Sequence, residues 1–257
     1  MSPDYTQVTE MPGNRVSEEN LQMLYTRYRW ASGFVAEKEV LEVACGPGIG
    51  LGYLARKAKK VISSDYDWNI VRAAKRYYRQ RVEILQSDAH HLPFKDNSFD
   101  VVMLFEAIYY LNHPHKFLAE SRRVLKNRGF LLISTVNKDW IGFNPSPFSA
   151  KYFSVPELYN LLEENGLEAQ LFGNFPEEES TLSKYILLIR KMAVSLNLIP
   201  KTMKGKEKLK RLFYGNLLTL PNEIEDGEVE YSPPAPINAT VPNHQYKVIF
   251  AVGHLNK

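Results

Sequence analysis

Val40-Leu41-Glu42-Val43-Ala44-Cys45-Gly46-Pro47-Gly48-Ile49-Gly50 is the stretch on which the fold turns. An apolar run meets an acid, and a glycine-rich loop then opens into a helical pattern over Leu51 to Lys59. Strand, tight turn and helix start form the usual opening of an α/β nucleotide site. Absent side chains let a ligand approach the backbone, and free N–H groups at the helix start can bind it. Alone, such a loop could equally be a plain structural turn. Two carboxylates further along add weight. Val61 to Asp65 reads as a second strand ending in an acid nineteen positions after Gly46. That is the distance at which a βαβ nucleotide unit sets the acid that accepts from ribose hydroxyls. Val82 to Leu85 reads as a third strand, followed by Gln86-Ser87-Asp88-Ala89-His90-His91-Leu92-Pro93-Phe94. Ser98-Phe99-Asp100 leads into Val101 to Phe105, an apolar run suited to a strand buried on both faces.

Working outward, strands are predicted near 39–44, 61–65, 82–86, 99–105 and 129–136, and helices near 48–59, 67–79, 106–111 and 114–126. This alternation predicts an α/β, Rossmann-like, doubly wound fold with a mostly parallel seven-stranded sheet. Such sheets bind ligands at the carboxyl ends of the strands, where strand order reverses. Glu42, Asp65, Asp88 and Phe105 fall at or near those ends. An aromatic loop, Lys138 to Phe148, follows the fifth strand and should overhang the same edge. Ser154-Val155-Pro156-Glu157 reads as a capped helix start, with Gly166 as the stop. Ala169 to Phe172 and Tyr246 to Val252 supply the sixth and seventh strands.

At this point the chain resembles the class I S-adenosylmethionine-dependent methyltransferases, in particular their type 11 or UbiE-like small-molecule branch. The resemblance spans about residues 38–140. It rests on the Glu-Val-Ala-Cys-Gly-Pro-Gly loop, Asp65, Asp88-Ala89, Leu92-Pro93-Phe94, Ser98-Phe99-Asp100 and Arg123 to Gly129, in that order. It implies S-adenosyl-L-methionine as cofactor and S-adenosyl-L-homocysteine as product. Glu42, Ala44, Gly46 and Gly48 would form the cofactor loop. Asp65 would take the ribose, with Tyr66 beside it. Asp88 would take the exocyclic amine of adenine, the N–H of Ala89 a ring nitrogen, and Phe105 would close the strand end. Arg27 and Tyr28 would lie near the methionine end, although Tyr25, Tyr28 and Trp30 also read as core. Two departures stand out. Ala44 replaces the loop's first glycine, and Asn127-Arg128-Gly129 replaces a Pro-Gly-Gly far from the cofactor. A dinucleotide fingerprint would need glycine at position 51, where Leu51 stands, which disfavours an NAD(P)-dependent oxidoreductase.

Residues 1–37 are read as an N-terminal helical cap. Ser17-Glu18-Glu19 supplies a capping hydroxyl and first-turn acids, and Leu21, Leu24, Tyr25 and Tyr28 share one face. Residues 38–175 form the cofactor-binding core, and 246–257 the last strand and C-terminus. Between them, 176–245 form a long insertion with a helix over Leu182 to Leu196. Its apolar residues, Tyr185, Leu212, Phe213, Tyr214 and Leu217, suggest a substrate lid. Between Arg190 and Arg211 stand eight basic residues and one acid, Glu207. This run reads as a solvated helix face, with attraction to an anionic substrate or a peripheral membrane contact as the alternatives.

A net charge of +3 is too small to argue for nucleic-acid binding. The place of the nucleic-acid base methylases' Asn/Asp-Pro-Pro-Tyr/Phe motif reads Phe105-Glu106-Ala107-Ile108, so no nucleic-acid partner is expected. Cys45 is the sole cysteine, which fits a reducing compartment. Met1 to Glu10 lacks the pattern of a signal peptide, and no run of 18 apolar residues occurs, so a cytoplasmic protein is expected.

Methyl transfer needs an acceptor held in line with the breaking bond and shielded from water. A hydroxyl or protonated amine also benefits from a general base. The candidates follow the fourth strand. Glu106 directly at its end is the first choice for a catalytic or substrate-orienting group. Tyr110, with an ordinary pKa of about 10, suits positioning rather than proton abstraction. His113, before Pro114, is a base candidate that also reads as a helix-start surface residue. His90 and His91 follow the adenine motif and read as surface residues, with one of them near the pocket as the alternative, and no metal site is expected. The expected activity is methylation of a small or medium metabolite, sugar-linked or lipid-linked forms included. The alternatives are a non-catalytic S-adenosylmethionine-binding module and a tRNA or protein methyltransferase.

Overall fold

A computed structural model describes residues 5–176 and 217–255. In chain order its elements are β1 (Arg15–Val16), α1 (Glu18–Ala31), β2 (Glu39–Val43), α2 (Leu51–Ala55), β3 (Lys60–Asp65), α3 (Trp68–Tyr78), β4 (Glu83–Gln86) and β5 (Phe99–Phe105). There follow α4 (Pro114–Val124), β6 (Leu125–Val136), α5 (Val155–Glu164), β7 (Glu168–Pro176), β8 (Leu218–Thr219), β9 (Ala235–Pro236) and β10 (Tyr246–His254).

The main sheet runs β4-β3-β2-β5-β6-β10-β7-β9. Its first five strands are parallel, and β10 inserts antiparallel between β6 and β7. Strand order therefore reverses between β2 and β5, which opens a crevice at their carboxyl ends. The central strands β2 and β5 are largely apolar because helices cover both faces. Leu41, Val102 and Ile133 point into one core with α4 and α5. Their neighbours Val40, Val101 and Leu132 point into the other, with α1, α2 and α3. The eighth strand, β9, is a two-residue edge addition on β7 that the alternation pattern does not reveal.

Local signals explain the helix starts. Ser17 caps α1 by accepting from Asn20 N at 3.3 Å, and Asp67 caps α3 by accepting from Asn69 N at 2.8 Å. Ser154 and Glu157 form a reciprocal capping box on α5. Three expectations are corrected. The helix expected over 48–59 shrinks to Leu51–Ala55, because Gly46 and Gly48 hold left-handed backbone before it. The helix expected over 106–111 is a 3₁₀ turn, Ile108–Tyr110, since Glu106 takes φ 52°. β6 begins at Leu125 rather than 129, directly from the end of α4.

Of the long insertion, 177–216 lie outside the described residues, and with them the helix at 182–196, the basic run and all the named apolar residues except Leu217. Of the described part, residues 217–231 form a strap packed into the α1–α2–α3 core, while Ile237 and Ala239 pack on the opposite one. β8 pairs with β1, and Ile224 is fully buried and donates its N–H to the Ile49 carbonyl at 3.0 Å. Glu223 pairs with Arg56 and Arg81, and Asp226 accepts from the hydroxyls of Tyr25 and Tyr53 at 2.8 and 2.7 Å.

Candidate active site

The crevice between β2 and β5 gathers the residues singled out from the sequence. Its floor is the glycine loop. Ala44, Gly46 and Gly48 all take positive φ, at 55°, 58° and 80°. A Cβ on Gly48 would come within 2.7 Å of the Leu51 side chain and 3.1 Å of the Tyr78 ring, so glycine is required there. Ala44 adopts the same backbone region with a methyl group, at a cost of about 1–2 kcal/mol. At Gly46 the nearest atom to a built Cβ is the Thr9 methyl, at 3.6 Å, an ordinary van der Waals contact.

Asp65 ends β3 facing this loop. Its Oδ2 accepts from Gly46 N and its Oδ1 from Asp67 N, both at 2.9 Å. Burial pushes its carboxyl above the usual range, against the pull of those two N–H groups. A carboxylate has lone pairs left after two such bonds, so it can still accept from hydroxyls.

Glu42 is buried in the middle of the floor. Its Oε1 accepts from the Tyr28 hydroxyl at 2.7 Å, and its Oε2 is buried with no partner among the described residues. Burial pushes its carboxyl up to about 8, opposed by the Tyr28 hydroxyl and by the charge of Arg27. Arg27 donates its Nε to the Met23 carbonyl and makes no ion pair among the described residues. Its charge is also felt by the buried phenol of Tyr109. A buried carboxyl with a spare oxygen, near a guanidinium that has no ion pair among the described residues, offers partners for the ammonium and carboxylate of an amino acid, whose ammonium would favour the ionised form of Glu42. Trp30, by contrast, packs against Phe34, Phe172 and Phe250 and is core.

At the end of β4, Asp88 Oδ1 accepts from the backbone N–H of His90 at 2.9 Å and lies 2.6 Å from its ring Nδ1. Burial alone would raise this carboxyl, but those contacts and the charges of His90 and His91 outweigh it and hold it below its usual range. Ala89 is buried beside it. Here the two histidines part: the surface reading holds for His91, and His90 is the one beside the pocket. Its side chain is 16% exposed and bonded to Asp88, while His91 is 78% exposed. Residue spacing carries no signal that separates two adjacent histidines in this way.

Beyond β5, Glu106 holds φ 52° and donates its N–H to the Ser134 carbonyl at 2.9 Å. The hydroxyls of Tyr109 and Ser134 each reach its carboxylate at 3.4 Å, long contacts that leave accepting capacity. Phe105, which packs edge-on against Tyr28, and Ser134 join this corner to the Glu42 floor. Tyr110 shares a 2.8 Å hydrogen bond with Ser146, and burial pushes its phenol up to about 12. It stays neutral and cannot act as a base near pH 7. Tyr152 stacks on Tyr109 at 4.4 Å and presses against Phe143, so the aromatic loop overhangs the crevice. His113 is exposed at the start of α4, with its ring 6.0 Å from that of His90 and no described contact with Glu106.

One element escapes sequence reading altogether. Tyr5, in a 3₁₀ turn over Tyr5–Gln7, donates its N–H to Asp67 Oδ2 at 3.1 Å. Its ring meets those of Tyr66, Tyr110 and Phe148 edge-on, at 6.3, 5.4 and 6.2 Å. Three loops from three strand ends thus converge on one N-terminal side chain.

Comparison with known proteins agrees with this geometry. Residues 41–133 match the family described as a methyltransferase domain. A Mycobacterium tuberculosis protein described as a probable S-adenosylmethionine-dependent methyltransferase is 37% identical over 135 residues, covering 50% of this chain and 48% of that one. A Mycobacterium ulcerans phthiotriol/phenolphthiotriol dimycocerosates methyltransferase is 41% identical over 98 residues, covering 37% of this chain and 36% of that one. The chain thus spans about half the length of the first relative and less of the second. Among solved structures, a Haloferax volcanii protein described as a putative methyltransferase, in complex with the Trm112 activator, superposes with a TM-score of 0.59. It is 16% identical, over 93% of this chain and 94% of that one, a likeness of fold alone. Residues 41–133 are a methyltransferase domain, the fold is that of the class I S-adenosylmethionine-dependent methyltransferases, and together they imply S-adenosylmethionine as the cofactor.

Proposed function

We propose that this chain transfers a methyl group from S-adenosylmethionine to a small or medium acceptor, sugar-linked and lipid-linked molecules included. The observation that carries this reading is the placement of Glu42, Asp65 and Asp88 at successive strand ends around one glycine loop with left-handed backbone. When bound, the cofactor supplies a methyl group already activated on a sulfonium, which an acceptor displaces in line. The chain's own residues do the rest. Asp65 and the neighbouring Tyr66 hold the ribose hydroxyls. Asp88 and the Ala89 N–H hold the adenine edge. Arg27 takes the carboxylate of the methionine end, and Glu42 its ammonium. Tyr28 orients Glu42. Ala44, Gly46 and Gly48 bring the backbone close, and Phe105 backs the loop.

Glu106 orients the acceptor and takes its proton where it has one to lose. Tyr110 positions the acceptor, with Tyr152, Phe143 and Phe148 as an aromatic wall that keeps water out. His113 stands at the rim as a further candidate for proton transfer. A lipid-linked acceptor draws support from the aromatic wall and from the Mycobacterium ulcerans relative. No helix among the described residues is long and apolar enough to cross a membrane. We place the protein in the cytoplasm, as its lone buried Cys45 suits a reducing compartment. We keep peripheral membrane contact as the route to a lipid-linked acceptor.

The test is transfer of labelled methyl from S-adenosylmethionine into fractionated metabolite and lipid extracts, with Glu106→Gln as the paired variant. A labelled product that falls at least about tenfold in Glu106→Gln, with S-adenosylhomocysteine affinity retained, supports the reading. Cofactor binding with no labelled product in any fraction points to the non-catalytic binding module.

A further inference from the structure

We propose that His90 is a positioning residue for the adenine end of the cofactor: it pins one oxygen of Asp88 and leaves the other to accept from the exocyclic amine. The inference rests on the cofactor reading above, and it concerns a residue that neither the motif spacing nor the comparisons single out.

A carboxylate only accepts hydrogen bonds, so the 2.6 Å contact requires the proton of His90 to sit on Nδ1. Asp88 Oδ1 then takes two donors from a single residue, its backbone N–H and its ring. Asp88 Oδ2 takes no hydrogen bond among the described residues, its neighbour being Nδ1 of the exposed His91 at 4.0 Å. The side chain of Asp88 is 43% exposed and would otherwise rotate about its terminal torsion. Two donors on one oxygen stop that rotation before any ligand arrives, which lowers the ordering cost of binding.

His90 can do this because it is itself fixed. Its ring is mostly buried, its Nε2 is buried without a partner among the described residues, and it packs edge-on against His113. The arrangement also has a chemical consequence. An ionised, fixed carboxylate attracts an amine at the adenine 6-position and repels a carbonyl there. His90 would therefore sharpen the choice of a 6-amino over a 6-oxo purine.

Calorimetry on the full chain tests this, with S-adenosylhomocysteine and its 6-oxo analogue, S-inosylhomocysteine, as probes. The unaltered chain should prefer the 6-amino compound by at least about tenfold. His90→Ala should cut that ratio at least about fivefold, and His90→Phe, which keeps ring volume without a donor, should do the same. His90→Asn, with an amide N–H near the place of Nδ1, should restore most of it. Loss of affinity for both probes in equal measure, with the ratio kept within about twofold, would mean that His90 is merely structural and would overturn the proposal. Absence of S-adenosylhomocysteine binding by the unaltered chain would instead overturn the cofactor reading, and this proposal with it.

Discussion

The hydroxyl of Tyr28 in α1 donates to Oε1 of Glu42 in β2 at 2.7 Å, and both side chains are buried. One hydrogen bond thus ties the N-terminal helix to the floor of the glycine loop. The Tyr28 ring also lies where a Cβ on Gly50 would fall, so the helix can approach only because position 50 is glycine. Tyr28→Phe keeps the ring and strips Glu42 of its donor. A buried acceptor left unpaired costs about 1–3 kcal/mol. Thermal melting should therefore show a midpoint lower by roughly 2–10 °C for a chain of this size. An unchanged midpoint would show that the bond contributes nothing.

Glu42 also sets a pH dependence. Its carboxyl is pushed by burial from 4.5 to about 8 in the folded chain. Between these values the folded state holds a proton that the unfolded state releases. The contribution of Glu42 to stability is therefore fully present below about pH 4.5 and lost as pH rises through about 8. Urea midpoints measured from pH 5 to pH 8 should fall with pH more steeply in the unaltered chain than in Glu42→Gln. Parallel curves for the two would contradict the buried, protonated state of Glu42.

The convergence of Tyr66, Tyr110 and Phe148 on Tyr5 predicts that the N-terminal turn helps to retain ligand. Each edge-on ring pair contributes about 0.5–1.5 kcal/mol beyond area burial. Tyr5→Ala should weaken S-adenosylhomocysteine binding by about threefold to tenfold, and Tyr5→Phe should leave it nearly unchanged. Tighter binding in Tyr5→Ala would show that the ring obstructs the crevice instead.

The strap formed by the described end of the insertion should behave as core. Ile224 is fully buried, so Ile224→Ala should cost about 2–5 kcal/mol and lower the melting midpoint accordingly. A mild effect, of about 0.5 kcal/mol or less, would mean that the strap detaches as a loop.

The parts legible in the sequence were those that repeat or sit at fixed offsets. The apolar strands closed by Glu42 and Asp65, the cap at Ser17 and the box at Ser154 all signal over a few residues. They carried the mostly parallel, doubly wound sheet and the floor of the site. The site's lateral contacts were not legible, because they join residues far apart in the chain without periodicity. Tyr5 is a lone aromatic in a polar N-terminus, and nothing nearby announces Tyr110 or Phe148. The bond from His90 to Asp88 is short in sequence, but it depends on a side-chain direction that neighbouring His91 does not share. Left-handed backbone at Gly48 and Glu106 cut two expected helices short, and only the second of these positions defies local preference.

Calorimetric titration of the purified chain with S-adenosylhomocysteine and, in parallel, NADH bears most directly on the central claim, with Asp65→Ala as the paired variant. Asp65 is the acid that ties the glycine loop to the end of β3, through its bond from Gly46 N. Micromolar binding of S-adenosylhomocysteine that is lost in Asp65→Ala, with no response to NADH, is the expected result. Binding of NADH, or no binding of S-adenosylhomocysteine, would contradict the assignment of this crevice as a methyl-donor site.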